Sequence, residues 1–293
     1  MWTEIVSADA LVSSGREILL NDLKFSESER PIVAQLFTGH PEKMRQAAAL
    51  VQSLGFDGLD INMGCPDRTV EKQHAGAALL KDLLRAKEII RAARQGAPRL
   101  PISVKTRTGY NKNEIDTLIP ALLEEGVAAI IIHTRTRKEM SSVPARWEAV
   151  ERAVALRDSF GGRARAKTLI IGNGDVKGLA EAREKAERYG CDGVMLGRAI
   201  FGNPFLFRNK NVLSESEGHY IPTIEEKLKV MVEHTKLFEE IFGQTKSFAV
   251  MKKHFKAYAG GFDGARELRM ELMEAKSSTG VEAIVKNFLS SKV

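Results

Sequence analysis

Cysteine is nearly missing from this sequence: Cys65 and Cys191 are its only thiols, and they stand far apart. That rules against a disulfide framework and favours a reducing compartment. Long apolar runs are missing as well. The longest, such as VAAIIIH at 127–133, fall far short of the roughly 20 residues that a bilayer span needs, and no basic-then-apolar signal pattern opens the chain. The expectation is a cytoplasmic protein with no membrane and no metal partner. Internal repeats and low-complexity tracts are absent too.

What is present is enough for a large core: 293 residues, 43% of them hydrophobic, suggest one or two domains. The net charge is +6, a basic balance that fits a polyanionic partner without requiring one. Residues 213–293 hold 12 basic and 12 acidic side chains, so the positive excess lies in the first part of the chain.

Short β-branched apolar runs alternate with helical patterns up to about residue 205, the mark of repeated βα units on a parallel sheet. Seven strands are expected, near 2–6, 32–37, 58–62, 101–105, 128–133, 168–172 and 192–196. Helices are expected near 41–53, 76–94, 113–125, 145–158 and 178–188. Such a count favours a (β/α)8 TIM barrel, which needs eight strands. Because Met1 leads straight into a strand, the first barrel strand is expected to be the one absent from this chain. From about 213 the periodicity is helical only, near 223–243, 246–259, 263–276 and 279–290, after a polar connection at 208–223. The division expected is therefore a barrel domain over 1–212 and a small all-helical domain over 213–293.

The residues at or just after the strand ends are Gln35, Asn62 then Cys65, Lys105 then Arg107, His133 then Arg135, Asn173 then Asp175, and Gly197 then Arg198. In a barrel these converge on the C-terminal rim, where active sites lie. The turns IIGNGDV (170–176) and MLGRAIFGNP (195–204) are Gly-rich where such barrels hold a phosphate, with Arg198 adding charge. Gly-rich turns are also a cheap way to leave a strand. One stretch stands apart: GLDINMGCPDRTVEKQHAGAALL (58–80) breaks from a buried strand into a loop that presents a thiol between Gly64 and Pro66. Cys191, at the entrance of a strand, reads as packing. His133 is either a satisfied core histidine or a ligand contact, and Lys105 and Arg107 either snorkel from the rim or act at the site.

Taken together, DINMGCP with GAALL, VKTRTGY, IHTRTR, GNGDV, GVMLGRAIFGNPFLF and MKKHFKAYAGGFDGARELR resemble the tRNA-dihydrouridine synthase family, in order over nearly the whole chain. The resemblance implies a barrel bearing FMN and a helical tRNA-binding domain, with FMN reduced by NADPH and uridine in tRNA reduced to dihydrouridine. It places Gln35, Lys105, His133, Asn173, Gly174, Asp175, Gly197 and Arg198 at positions that hold FMN. Cys65 falls on the proton donor, and Asn62, Arg107 and Arg135 on motifs that line the uracil.

Adding hydride at C6 of uracil pushes charge toward O4, and C5 must then take a proton. A thiol is mostly protonated at neutral pH and can donate, whereas an exposed carboxylic acid has already ionised. Cations such as Lys105 and Arg107 suit a reduced anionic flavin. A stacked uracil must be extruded, and contacts elsewhere must offset that cost. The stretch KSFAVMKKHFKAY (246–258) carries Lys252, Lys253 and Lys256 with no acid, a stripe suited to phosphates or a plain solvated helix face; its aromatics suit core packing or stacking. Two departures stand out: Thr134 where the family often has Gly, and Ser141 or Ser142 where an aromatic is common. The missing strand removes a Pro-Met turn that touches FMN in the family. An FMN barrel acting on a free small molecule, or a non-catalytic RNA-binding remnant, are the rival expectations.

Overall fold

A computed structural model describes residues 1–160, 168–208 and 220–291. Seven parallel strands form one sheet in sequence order: β1 (Trp2–Ser7), β2 (Val33–Phe37), β3 (Gly58–Met63), β4 (Ile102–Arg107), β5 (Ala129–His133), β6 (Leu169–Asn173) and β7 (Gly193–Met195). The helices of the first part are α1 (Ala8–Leu11), α2 (Arg16–Leu20), α3 (Pro41–Ser53), α4 (Arg68–Glu71), α5 (Leu83–Gly96), α6 (Ile115–Glu124), α7 (Glu148–Ser159) and α8 (Leu179–Tyr189). This is the (β/α) barrel architecture with seven strands, and all seven fall where the apolar runs put them. Among the described residues β1 and β7 pair with one neighbour each, so the wall has two edges where a closed barrel has none.

Strands β2 to β5 are buried along almost their whole length. Successive residues nevertheless point to opposite faces. Leu59, Ile61, Met63, Ile102, Val104, Ile130 and Ile132 belong to the main apolar core, which leaves Asp60, Asn62, Ser103, Lys105, Arg107 and His133 on the other face. The register aligns those residues side by side: Gln35 with Asp60, Asp60 with Ser103, Asn62 with Lys105, Arg107 with His133, and His133 with Asn173.

Some local structure departs from the sequence pattern. The helix expected over 76–94 opens as a 3-10 turn, Gly76–Lys81, and restarts as α5 where the Asp82 side chain accepts from the Arg85 N–H. Between β1 and β2 lie α1, α2 and two 3-10 turns, too short for periodicity to reveal. No helix among the described residues is long and apolar enough to cross a membrane.

The chain divides into two compact units, Met1–Val176 with Ala180–Leu196, and Lys177–Leu179 with Gly197–Val293. The second holds α9 (Ile224–Phe242), α10 (Lys252–Tyr258), α11 (Ala265–Glu274) and α12 (Ser278–Ser290) around its own core of Leu228, Met231, Phe255, Leu268, Leu272 and Val281. Helix α9 starts at a capping box between Thr223 and Glu226. Most of the polar connection expected over 208–223, and the boundary drawn at 212, lie outside the described residues. The helix expected over 246–259 is broken into a 3-10 turn, Phe248–Met251, capped by Ser247, and α10.

Candidate active site

The inner face of β2, β3 and β4 carries a buried polar network. Asp60 is fully buried and accepts from Gln35 Nε2 at 2.7 Å and from the Ser103 hydroxyl. Gln35 Oε1 accepts from Asn62 Nδ2 at 3.0 Å. Asn62 Oδ1 in turn accepts from the backbone N–H groups of Gly64, at 3.1 Å, and Cys65, at 2.8 Å. Burial pushes the Asp60 carboxyl up to about 6, with Ser103, Gln35 and the Lys105 charge acting against it. Burial lowers the pKa of Lys105, and the Asp60 charge opposes that shift. Lys105 Nζ donates to Asn173 Oδ1 at 3.4 Å.

The cysteine loop is fastened from two further sides. The Cys65 carbonyl accepts from the Ala77 N–H at 2.9 Å. Arg107, buried, donates from Nε to the Gly64 carbonyl at 2.8 Å and from Nη1 to the carbonyls of Thr136 and Met140 at 3.0 and 3.1 Å. Arg137 grips Glu71 of α4 with two hydrogen bonds, and its backbone N–H donates to the Gly109 carbonyl. Three loops, those leaving β3, β4 and β5, thus form one framework around a half-buried thiol.

His133 faces three cations. Burial first, then Arg107, Lys105 and Arg135, push its pKa down to about 3, so the ring is neutral at physiological pH. Its Nε2 lies 3.2 Å from Arg135 Nη1. Since an arginine can only donate, Nε2 is the acceptor and the proton sits on Nδ1. Arg135 also pairs with Asp175 and donates to the Val143 carbonyl at 2.6 Å. Asp175 further accepts from the Ala145 N–H at 3.0 Å. Gly174 has φ of +138°, and a Cβ there would come within 2.8 Å of Thr134 Oγ1, so the turn needs a glycine. Asn173 Nδ2 donates to the Met195 carbonyl at 2.7 Å, tying the β6 end to β7.

Asn62, Cys65, Lys105, Arg107, His133, Arg135, Asn173, Gly174 and Asp175 therefore come from the C-terminal halves of four adjacent strands and the loops that follow them, while Gln35 sits in the middle of the neighbouring strand β2. Gly197 and Arg198 belong to the second unit, where both are exposed, and an added Cβ at Gly197 would meet no atom within 4 Å. Cys191 is buried and its Sγ donates to the Gly193 carbonyl at 3.3 Å, so it packs. On α10 the side chains of Lys253 and Lys256 are exposed and Lys252 is partly so. Phe255 and Tyr258 are buried in the helical core, which resolves the choice between packing and stacking for these two rings. Asp60, Ser103, Glu71 and Arg137 were not singled out in the sequence. The one available signal was a carboxylate inside the apolar run GLDIN.

The sequence profile of the dihydrouridine synthase (Dus) family matches residues 1–292. A probable tRNA-dihydrouridine synthase of Staphylococcus aureus (strain MRSA252) is 39% identical over 268 residues, covering 91% of this chain and 77% of that protein. The chain belongs to the dihydrouridine synthase family. A second relative, the probable tRNA-dihydrouridine synthase 2 of Bacillus subtilis (strain 168), is 36% identical over 290 residues, covering 98% of this chain and 85% of that protein. A dihydrouridine synthase is an oxidoreductase acting on a CH–CH bond. A solved structure of DHODH in complex with ferulenol from Eimeria tenella overlaps at a TM-score of 0.46 and 13% identity, covering 69% of this chain and 58% of that one.

Proposed function

We propose that this protein reduces uridine in tRNA to 5,6-dihydrouridine, with FMN bound at the barrel rim and NADPH as the reductant. The observation that carries this reading is a half-buried thiol, Cys65, set beside a row of unsatisfied donors within a chain of this family.

The donor set fits a flavin. Lys105 Nζ has one hydrogen bond of its three, the Nδ1–H of neutral His133 makes none among the described residues, and Asn62 keeps its second Nδ2 hydrogen. Such donors match the electron-rich edge of a flavin ring, and Gln35 and Asn173 extend the row on either side. Asn173, Gly174 and Asp175 supply a glycine-rich turn for the phosphate. Bound FMN supplies hydride for C6 of uracil, and NADPH replaces it.

Everything else falls to the chain. As hydride arrives at C6, the Sγ–H of Cys65 gives its proton to C5, and the thiolate left behind recovers a proton from solvent, which the half-buried position permits. Lys105 offsets the negative charge that builds on the ring pair. Arg107 spends Nε and Nη1 on backbone carbonyls but keeps both Nη2 hydrogens for a uracil carbonyl. Arg135 orients His133 and holds the neighbouring loop, with a share in lining the uracil. The lysines of α10 contact tRNA phosphates.

A direct test uses purified protein. A flavin absorbance spectrum together with dihydrouridine appearing in unmodified tRNA on adding NADPH supports the proposal. Protein without flavin after FMN addition, or flavin oxidation with free uridine only, would overturn it.

A further inference from the structure

Asp60 lies beneath the rim, buried, and takes no part in the reaction as proposed. Its hydrogen-bond chain has a direction that both ends enforce. At one end the Gly64 and Cys65 groups are backbone N–H donors, so the Asn62 atom they meet must be its oxygen, and its Nδ2 must face Gln35. At the other end an ionised carboxylate only accepts, so Gln35 must present Nε2 to Asp60 and Oε1 to Asn62. The two requirements agree. A group at position 60 that could also donate would permit the reversed chain, which sets Asn62 Nδ2 against two backbone N–H groups and leaves them without an acceptor.

We propose that Asp60 is a positioning residue for Cys65: its carboxylate fixes the direction of hydrogen bonding through Gln35 and Asn62, and thereby the place of the loop that carries the thiol. The inference rests on the proposed role of Cys65 for its consequence in catalysis, but the loop itself is read without substrate. Asp60 also holds Ser103 and faces the charge of Lys105, so the test must separate the relay from those contacts.

The measurement is the rate at which iodoacetamide alkylates Cys65 in the full chain, followed by peptide mass, with buried Cys191 as internal reference. Asp60→Ala removes the acceptor that holds Gln35 Nε2; the expected rise in Cys65 alkylation is about fivefold, the effect of losing one net hydrogen bond. Gln35→Met, which cuts the relay, is expected to raise it equally, and the double variant no further, because both act through one chain. Should Asp60→Ala not accumulate as folded protein, Gln35→Met alone carries the test, and the same rise is expected. Unchanged alkylation in these variants, or effects that add in the double variant, overturns the proposal. Dihydrouridine formation is assayed alongside: a wild-type protein that makes none, with alkylation behaving as expected, removes the reaction and leaves the relay standing.

Discussion

Trp147 fills the space that a side chain on Gly172 would need. A Cβ at that strand position would lie 2.2 Å from the indole ring, while the indole N–H donates to the Gly174 carbonyl at 3.1 Å. The ring thus supports the turn that carries Asn173, Gly174 and Asp175. Gly172→Ala is expected to destabilise the fold by about 1–3 kcal/mol through overpacking and to lower flavin retention. An unchanged urea midpoint would show that the ring can yield.

Flavin content at purification tests the cofactor residues. Lys105→Ala and Arg198→Ala are each expected to lower it, whereas Cys191→Ala, a change to a packing residue that donates to the Gly193 carbonyl, is not. Equal flavin occupancy in all three variants would remove the assignment.

Cys65→Ala removes one thiol and none of the hydrogen bonds its loop makes, since those use the backbone of residues 64 and 65. Flavin and tRNA binding are expected to persist while most dihydrouridine formation is lost. Near-normal product would take Cys65 out of the mechanism.

The lysines of α10 make no ion pair among the described residues. Replacing Lys252, Lys253 and Lys256 with Ala is expected to weaken tRNA binding roughly tenfold or more at moderate salt and to reduce the slope of log affinity against log salt by roughly 2 to 3. Flavin reduction by NADPH should not change. An unaltered slope would mean a solvated face and would move the phosphate contacts to the barrel unit. There, Arg68, Lys72, Lys112 and Lys138 on the loops around Cys65 also make no ion pair among the described residues.

His133 gives a pH signature with a definite sign. Its folded pKa is near 3 and its unfolded value near 6.5, so the unfolded chain takes up a proton that the folded chain refuses. Its contribution to stability is complete above about 6.5 and is lost as pH falls toward about 3. Wild-type protein should therefore lose more melting temperature between pH 7 and pH 4 than His133→Gln. Asp60 works in the opposite sense over part of this window, with its carboxyl raised to about 6, but it is common to both proteins. Parallel melting curves would contradict the buried, neutral ring.

The sequence by itself determined the seven strands, because short apolar runs alternate with helical periods, and it put the row from Asn62 to Asp175 on one side, because in a parallel α/β sheet every strand end faces the same side. It also fixed the helical character of residues beyond 223, from their period. It could not show that Arg107 holds the Gly64 carbonyl, that Arg137 holds Glu71, or that Phe255 and Tyr258 are core, since helical spacing alone does not say which face is covered. Nor could it show that Asp60, Gln35, Asn62 and Cys65 make one directed chain. Those partners lie 25 to 66 positions apart along the sequence, apart from the step from Asn62 to Cys65. Only the register of β2 on β3 and of β3 on β4 brings them within hydrogen-bond reach, and register is a property of the assembled sheet.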